Sequence, residues 1–266
     1  MNNIQKPSPV VVGIDGSDTA ILAARWAVDE AVHRDVPLRL VYVTKSTHPS
    51  ADDYEHDVRH GKASLRDAQT AIEATAQPVK IETAIVTGPP AVALVAESRD
   101  AAMICVGTVG IGRYARSILG STATELGDKA HCPVAVIRPR ENDDSAGDIN
   151  WIVVEVNDAP DNNAVVAAAL NEAKLRNAPV LAIGEHHAES GALDREIDRW
   201  RQRHPDVHIY PVADQADVAY FLKHFDQSVQ LAVIGAAGAD RLTQMLGPSG
   251  HWVFRHAAPS VLVVRH

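Results

Sequence analysis

Two stretches of this chain carry residues suited to holding an anion. Gly107, Gly110 and Gly112 follow one apolar run, Gly120-Ser121 comes shortly after, and Gly13-Ile14-Asp15-Gly16-Ser17 ends another apolar run near the start. Glycines let backbone N–H groups approach an anion closely, and a helix N-terminus adds free N–H groups and the positive end of its dipole. That combination serves phosphate binding, and three phosphate patterns compete for it. A P-loop requires GxxxxGK[ST], but Arg113-Tyr114 follows Gly112, so the lysine and the magnesium-binding hydroxyl are missing. A dinucleotide fingerprint, G-x-G-x-x-A, runs formally from Gly110 to Ala115. It follows the fourth strand rather than the first, and no acidic residue ends a strand at the required distance, Asp128 falling within a helix. The third pattern, G-x2-G-x9-G-[ST] at Gly107, Gly110 and Gly120-Ser121, fits throughout.

The elements that must position these residues alternate. Residues 10–14 form a continuous apolar run of strand length, as in a strand covered on both faces. Ser17 or Asp18 can cap a helix with Ile21, Ala24, Ala27, Val28 and Ala31 on one stripe. Further strands are expected at 38–43, 80–86, 102–106 and 134–138, with helices at 62–77, 89–98 and 121–130. Strands alternating with helices imply a parallel α/β sheet with right-handed crossovers. In such open sheets ligands bind at the carboxyl ends of the strands, near the point where strand order reverses.

The pattern is written twice. At one constant offset, Asp15 meets Asn157, Glu30 meets Glu172, Ala31 meets Ala173, Arg34 meets Arg176 and Pro37 meets Pro179. The ends also correspond: MICVGTVG with LAVIGAAG, and DKAHCPVAVI with FRHAAPSVLVV. The second copy is shorter, its loss falling in the polar stretch that occupies 45–60 in the first, where a surface loop is easily trimmed. The expected organisation is one domain over 1–140, a charged linker at 141–148 and a second domain over 149–266, each an open parallel five-stranded sheet with helices on both faces.

Composition narrows the function classes. The chain has 266 residues, 46% hydrophobic, 22% charged and only 5% aromatic, with a formal net charge of −9. Nucleic-acid affinity rests on clustered Lys and Arg, so an acidic chain without a basic run is a poor candidate for it. No apolar stretch has the length of a membrane span, and the first residues lack the apolar core of a signal peptide. A soluble, cytoplasmic protein is expected.

With Asp15 closing the first strand, G-x2-G-x9-G-[ST] resembles the ATP-binding class of universal stress proteins. The resemblance covers nearly the whole chain as two tandem domains. It rests on VVGIDGS (11–17), LVYV (40–43), TGPPAVAL (87–94), MICVGTVG (103–110), LGSTATEL (119–126) and AHCPVAVI (130–137). It implies a Rossmann-like fold that binds ATP, with or without magnesium. Asp15 would meet ribose or adenine beside the backbone of Gly13 and Ile14, and Val43 would pack on the base. Val106 and Gly107 would line base and ribose, Gly110 and the turn after it would wrap the phosphates, and Gly120 and Ser121 would hold them, with Arg113 as a phosphate neighbour. The family often has Gly-Ser-Val-[ST]; here Gly120-Ser121-Thr122-Ala123 moves the second hydroxyl to Thr122 or loses it.

The second copy departs from the pattern. Glu155 stands for Gly13, Asn157 for Asp15, Glu185 for Val43 and Pro248 for Ser121, and the spacing from Gly238 to Gly247 is one residue short. A domain that no longer binds nucleotide is expected. Structural readings compete elsewhere. His56 and His60, near Asp52, Asp53 and Glu55, read as a solvated loop or helix end rather than a metal site. His131-Cys132 reads as packing at the start of the fifth strand, and Cys105 as core. The implied function is a nucleotide-dependent regulatory module of the stress response, with at most slow ATP hydrolysis and no catalytic residues assigned. An adenylyl- or phosphoryl-transferring enzyme and a nucleotide-free association module are the alternatives. The apolar fifth strands should lie at sheet edges, pairing the two halves as a pseudo-dimer and favouring a homodimer.

Overall fold

Val10, Val11 and Val12 are at most 1% exposed, as a strand sandwiched between helix layers must be. They open β1 (Val10–Ile14). The computed structural model describes residues 7–108, 119–139, 149–184, 192–213, 218–224, 228–246 and 259–265. It divides the chain into two units, Met1–Pro139 and Arg140–His266. The residues 141–148 read as a linker lie outside the described ones.

The first unit continues with α1 (Asp18–Arg34), β2 (Leu38–Thr44), α2 (Ala51–Glu73), β3 (Ile81–Thr87), α3 (Pro90–Glu97), β4 (Met103–Gly107), α4 (Ser121–Lys129) and β5 (Val134–Ile137). Its strand order is β3-β2-β1-β4-β5, and every pairing is parallel. The chain winds outward from β1 to β3, then crosses back to β4 on the other side of β1. Order reverses between β1 and β4. Packing of α1 on α2 and of α3 on α4 covers the two faces.

Local chemistry sets the ends of α1. Ser17 is its N-cap and accepts a hydrogen bond from the Ala20 amide at 3.2 Å. The helix ends at Asp35, whose φ of 52° is left-handed and whose N–H reaches back to the Ala31 and Val32 carbonyls. Pro37 follows and cannot continue the helix. Between these ends Ala20, Ala23, Ala24, Ala27 and Ala31 are buried, so the helix lies close on the sheet and the core forms with few aromatics.

The second unit contains β6 (Trp151–Val156), α5 (Asn162–Leu175), β7 (Val180–Gly184), α6 (Ala192–Arg203), β8 (Ile209–Ala213), α7 (Val218–His224), β9 (Val229–Gly235), a 3-10 turn (Ala236–Arg241), α8 (Leu242–Leu246) and β10 (Ser260–Val264). Its order is β10-β9-β6-β7-β8, again all parallel, with the reversal between β6 and β9. The duplication extends to detail. Beyond α5, Asn177 has a φ of 47° and precedes Pro179, as Asp35 precedes Pro37. Glu30 is fully buried and paired with Arg34, and Glu172, 2% exposed, pairs with Arg176 at 2.8 Å. The fold class is therefore α/β, with a parallel five-stranded order in each unit.

One element differs from the sequence reading. The helix expected at 62–77 begins at Ala51 and ends at Glu73. Ser50 caps it through the Asp53 amide, with Asp52 and Asp53 in its first turn. Residues 51–56 are exposed on all sides, so helical periodicity starts only where Gly61, Ser64, Leu65, Ala68 and Ile72 turn inward. A polar opening turn with no apolar stripe reads as loop.

Candidate functional site

The reversal of strand order leaves the carboxyl ends of β1 and β4 side by side, with their onward connections departing to opposite sides of the sheet. A cleft of about 490 Å³ opens there, in the size range of small-molecule sites. Gly13, Ile14 and Asp15 line it from β1, Val43 from β2, Val106 and Gly107 from β4, and Gly120, Ser121 and Thr122 from the start of α4. Residues 100 positions apart in the chain thus face one space. Gly110 and Arg113, the other residues read from the motif, lie outside the described residues.

Asp15 is held in place locally. Its Oδ1 accepts hydrogen bonds from the Ser17 amide at 3.0 Å and the Ser17 hydroxyl at 2.6 Å, while Gly16 between them has a φ of 87°. Only glycine adopts that conformation at little cost, so Gly16 makes the turn that lets Asp15 bond forward to Ser17. The helix cap itself is Ser17. Asp15 orients that cap with one oxygen, and its Oδ2 takes no hydrogen bond among the described residues.

Gly107 answers a close approach. A Cβ there would stand 2.6 Å from Thr19 Oγ1 and 2.8 Å from the Thr19 carbonyl carbon. The first turn of α1 therefore crosses directly over the end of β4, and any side chain would push the two apart. Gly107 has a packing role whatever the cleft holds.

The start of α4 supplies donors. Its N-cap Gly120 has no side chain to accept from the first turn, and its own N–H goes to the Thr108 carbonyl at 2.7 Å. The amides of Ser121, Thr122 and Ala123 have no acceptor among the described residues. Free first-turn donors with the helix dipole behind them attract negative charge. Thr122 is in the lining, which is where the displaced hydroxyl was expected.

The structure adds lining residues that motif reading did not single out. Ser17, Pro90, Leu94, Thr108 and Leu119 face the same cleft. Pro90 and Leu94 sit in the TGPPAVAL segment and Leu119 begins LGST, so the signal was within reach, but only tertiary packing, such as Leu94 lying beside Gly13, shows which residues face inward.

Behind β2 a polar cluster clamps another lining residue, Tyr42. Its hydroxyl donates to Asp57 Oδ1 at 2.9 Å and lies 3.1 Å from His60 Nδ1. Asp57 Oδ2 accepts from the Lys45 amide at 3.0 Å and bonds His48 Nε2 at 2.8 Å. Burial pushes the Tyr42 phenol up to about 12, with the Asp57 hydrogen bond adding to it. Burial also pushes the Asp57 carboxyl up, but its bonds to His48, the Lys45 amide and Tyr42 outweigh that and hold it below the ordinary carboxylate value. His60, read as part of a solvated helix end, is exposed but tied into this cluster, whereas His56 is simply exposed. At the start of β5, the His131 amide donates to Ser98 Oγ at 2.9 Å, and both Cys132 and Cys105 are buried.

The corresponding place in the second unit is differently furnished. Glu155, at the position of Gly13, pairs with Arg241 at 3.4 Å. Asn157, at the position of Asp15, donates to Glu155 Oε1 at 3.2 Å and accepts from the Ala159 amide at 3.0 Å. Asp161 stands where the first unit has Thr19, its Oδ2 2.9 Å from where a Cβ on Gly235 would be. Glu185, Gly247 and Pro248 lie outside the described residues.

Comparison with known proteins bears on the family and the fold. The sequence profile of the Universal stress protein family matches residues 7–138. Universal stress protein Rv2624c of Mycobacterium tuberculosis is 59% identical over 261 residues, covering 96% of each chain. Universal stress protein Rv2028c of the same organism is 36% identical, covering 99% of this chain and 98% of its own. Among solved structures, a universal stress protein from Archaeoglobus fulgidus shares the fold at a TM-score of 0.69 and 14% identity, covering 98% of this chain and 97% of its own. Among the described residues no helix is long and apolar enough to cross a membrane. The chain belongs to the universal stress protein family.

Proposed function

We propose that the first unit binds an adenine nucleotide, with ATP as the working ligand, and that the bound state sets the association or partner choice of a regulatory stress-response module. The observation that carries this is the convergence, in one cleft at the reversal of strand order, of Asp15, the glycine-terminated strand β4 and the uncapped N-terminus of α4. Apolar Val43, Val106 and Leu94 suit a base, and the α4 amides suit phosphate. Asp15 Oδ2 suits a ribose hydroxyl. The second unit, with Glu155 and Asn157 engaged by their own neighbours, does not take a second nucleotide. The full reading includes a cytoplasmic setting and a homodimer.

Isothermal titration of the full chain with ATP, ADP and AMP tests it. Binding near one site per chain is expected, tightest for ATP and weakened about tenfold in Asp15→Ala, the scale for losing one hydrogen bond to a charged group. No heat with any of the three nucleotides would overturn the reading. Sedimentation of the full chain as a strict monomer would remove the homodimer alone.

A further inference from the structure

Where α1 and α2 pack together in the first unit, a cleft of about 400 Å³ lies between α5 and α6 in the second. Here α6 has 12 residues against 23 in α2. The floor is apolar: Val166 and Leu170 of α5 and Trp200 of α6 are all buried. Polar groups stand around it, with Asn163 on α5, Arg199 and Arg203 on α6, and His204 just beyond its end.

The charge around this cleft is positive. Arg199 is bonded to Glu196 on its own helix at 2.6 Å, which neutralises it. Arg203 makes no ion pair among the described residues, and neither does Lys174 of α5, which is close enough to act electrostatically on His204. His204 Nδ1 is buried and has no hydrogen-bond partner among the described residues. A buried polar nitrogen left without a protein partner is a deficit that a bound hydrogen-bonding group removes. Turning the ring about its Cβ–Cγ bond, a soft torsion, would present that nitrogen to a guest in the cleft its own ring lines. Burial, and then the charges of Lys174 and Arg203, hold the imidazole below the ordinary histidine value.

We propose that the α5–α6 cleft is a second binding site, independent of the first-unit cleft, for a small phosphate monoester bearing a compact apolar group. The phosphate lies against Arg203, whose planar guanidinium matches two phosphate oxygens, and against His204. The apolar group rests on Trp200 and Leu170. An anion in this place supplies the counter-charge that Lys174 and Arg203 lack, and it reverses the electrostatic pressure on His204.

The test uses the full-length protein and phenyl phosphate, followed by NMR of the histidine ring resonances, with His204→Gln assigning the His204 signal. A saturable shift of that signal at millimolar probe or below is expected, and the ring should titrate at higher pH in the bound form. Glu196 and Arg199, which share the cleft, remain paired and are not expected to contribute to that change. Arg203→Ala removes an exposed side chain and leaves the fold intact; it should weaken binding about tenfold or more. Inorganic phosphate and phenol should each bind more weakly than phenyl phosphate. No shift at His204, unchanged affinity in Arg203→Ala, or equal binding by phenol would each overturn the proposal. Equal binding by inorganic phosphate would overturn its apolar half. Because the readout is His204 itself, nucleotide bound in the first unit does not register, so the two readings fail separately.

Discussion

Arg241 Nη1 lies 3.4 Å from Glu155 Oε2, at the point in the second unit where the first unit has Gly13. By the spacing of the repeat, Arg241 corresponds to Arg113, which the family resemblance implies as a phosphate neighbour. In the second unit a protein carboxylate has become the partner of this arginine. The pair is half-buried, its two side chains 27% and 20% exposed, so the net contribution to stability is about 1 kcal/mol or less. Glu155→Gln should move the unfolding midpoint little. Binding stoichiometry, measured by equilibrium dialysis with labelled ATP, should stay at one per chain in the wild type; a value of two would show that the ion pair does not occupy the second site.

Asp15 orients the Ser17 cap and is proposed to meet the nucleotide, and two substitutions separate these roles. Asp15→Asn keeps an oxygen to accept from the Ser17 amide and hydroxyl but loses the charge, whereas Asp15→Ala loses both. We expect Asp15→Asn to retain nearly wild-type stability with weakened nucleotide binding. Asp15→Ala should additionally lose about 1 kcal/mol, because the Ser17 cap is no longer oriented. Urea unfolding beside calorimetric titration distinguishes these; equal stability in the two variants would show that the Asp15–Ser17 bonds do not support the cap.

Gly107→Ala should be destabilising by about 1–3 kcal/mol, the cost of overpacking a tight contact. The added methyl would meet the hydroxyl, the Cβ and the backbone carbon of Thr19. Thr19→Ala in the same chain removes only the first of these clashes, so it should restore part of the loss. Full rescue, read from urea midpoints, would show that the remaining Cβ and backbone contacts are not limiting.

The Tyr42–Asp57 bond has a signature at each end of the pH scale. A phenol raised in the folded state contributes stability that is present below its unfolded value of about 10 and lost as pH rises through the folded value. Of the five tyrosines, Tyr42 should ionise last, near 12, in an absorbance titration. Asp57→Asn should bring it part of the way back, since burial remains. The Asp57 carboxyl is depressed, so its contribution is present at neutral pH and lost as pH falls through its folded value, below the ordinary carboxylate range. Asp57→Asn should therefore flatten the acid limb of the stability curve. Five tyrosines ionising together would contradict the clamp.

What could be read from the sequence is what short-range chemistry determines. The β1 run, a helix cap at Ser17 or Asp18, and the duplication, with Pro37 aligned to Pro179, all depend on neighbours or on a fixed repeat. Even the alignment of Glu30 and Arg34 with Glu172 and Arg176 was visible, because i,i+4 partners on a helix are local. Asp15, Gly107 and Gly120-Ser121 were legible as residues of one cleft because a glycine spacing and strand ends mark them, and Val43 through the family resemblance. The start of α2 was not, since its exposed opening turn carries no apolar period. Tertiary structure alone decided the rest. It laid Thr19 over Gly107, turned Leu94 and Pro90 into the cleft, tied Tyr42 to Asp57 and His48, set Arg241 against Glu155, and opened the space beside Trp200 and His204. Each of these is a meeting of side chains whose distance depends on strand order and helix packing, and neither is written in any single stretch of the chain.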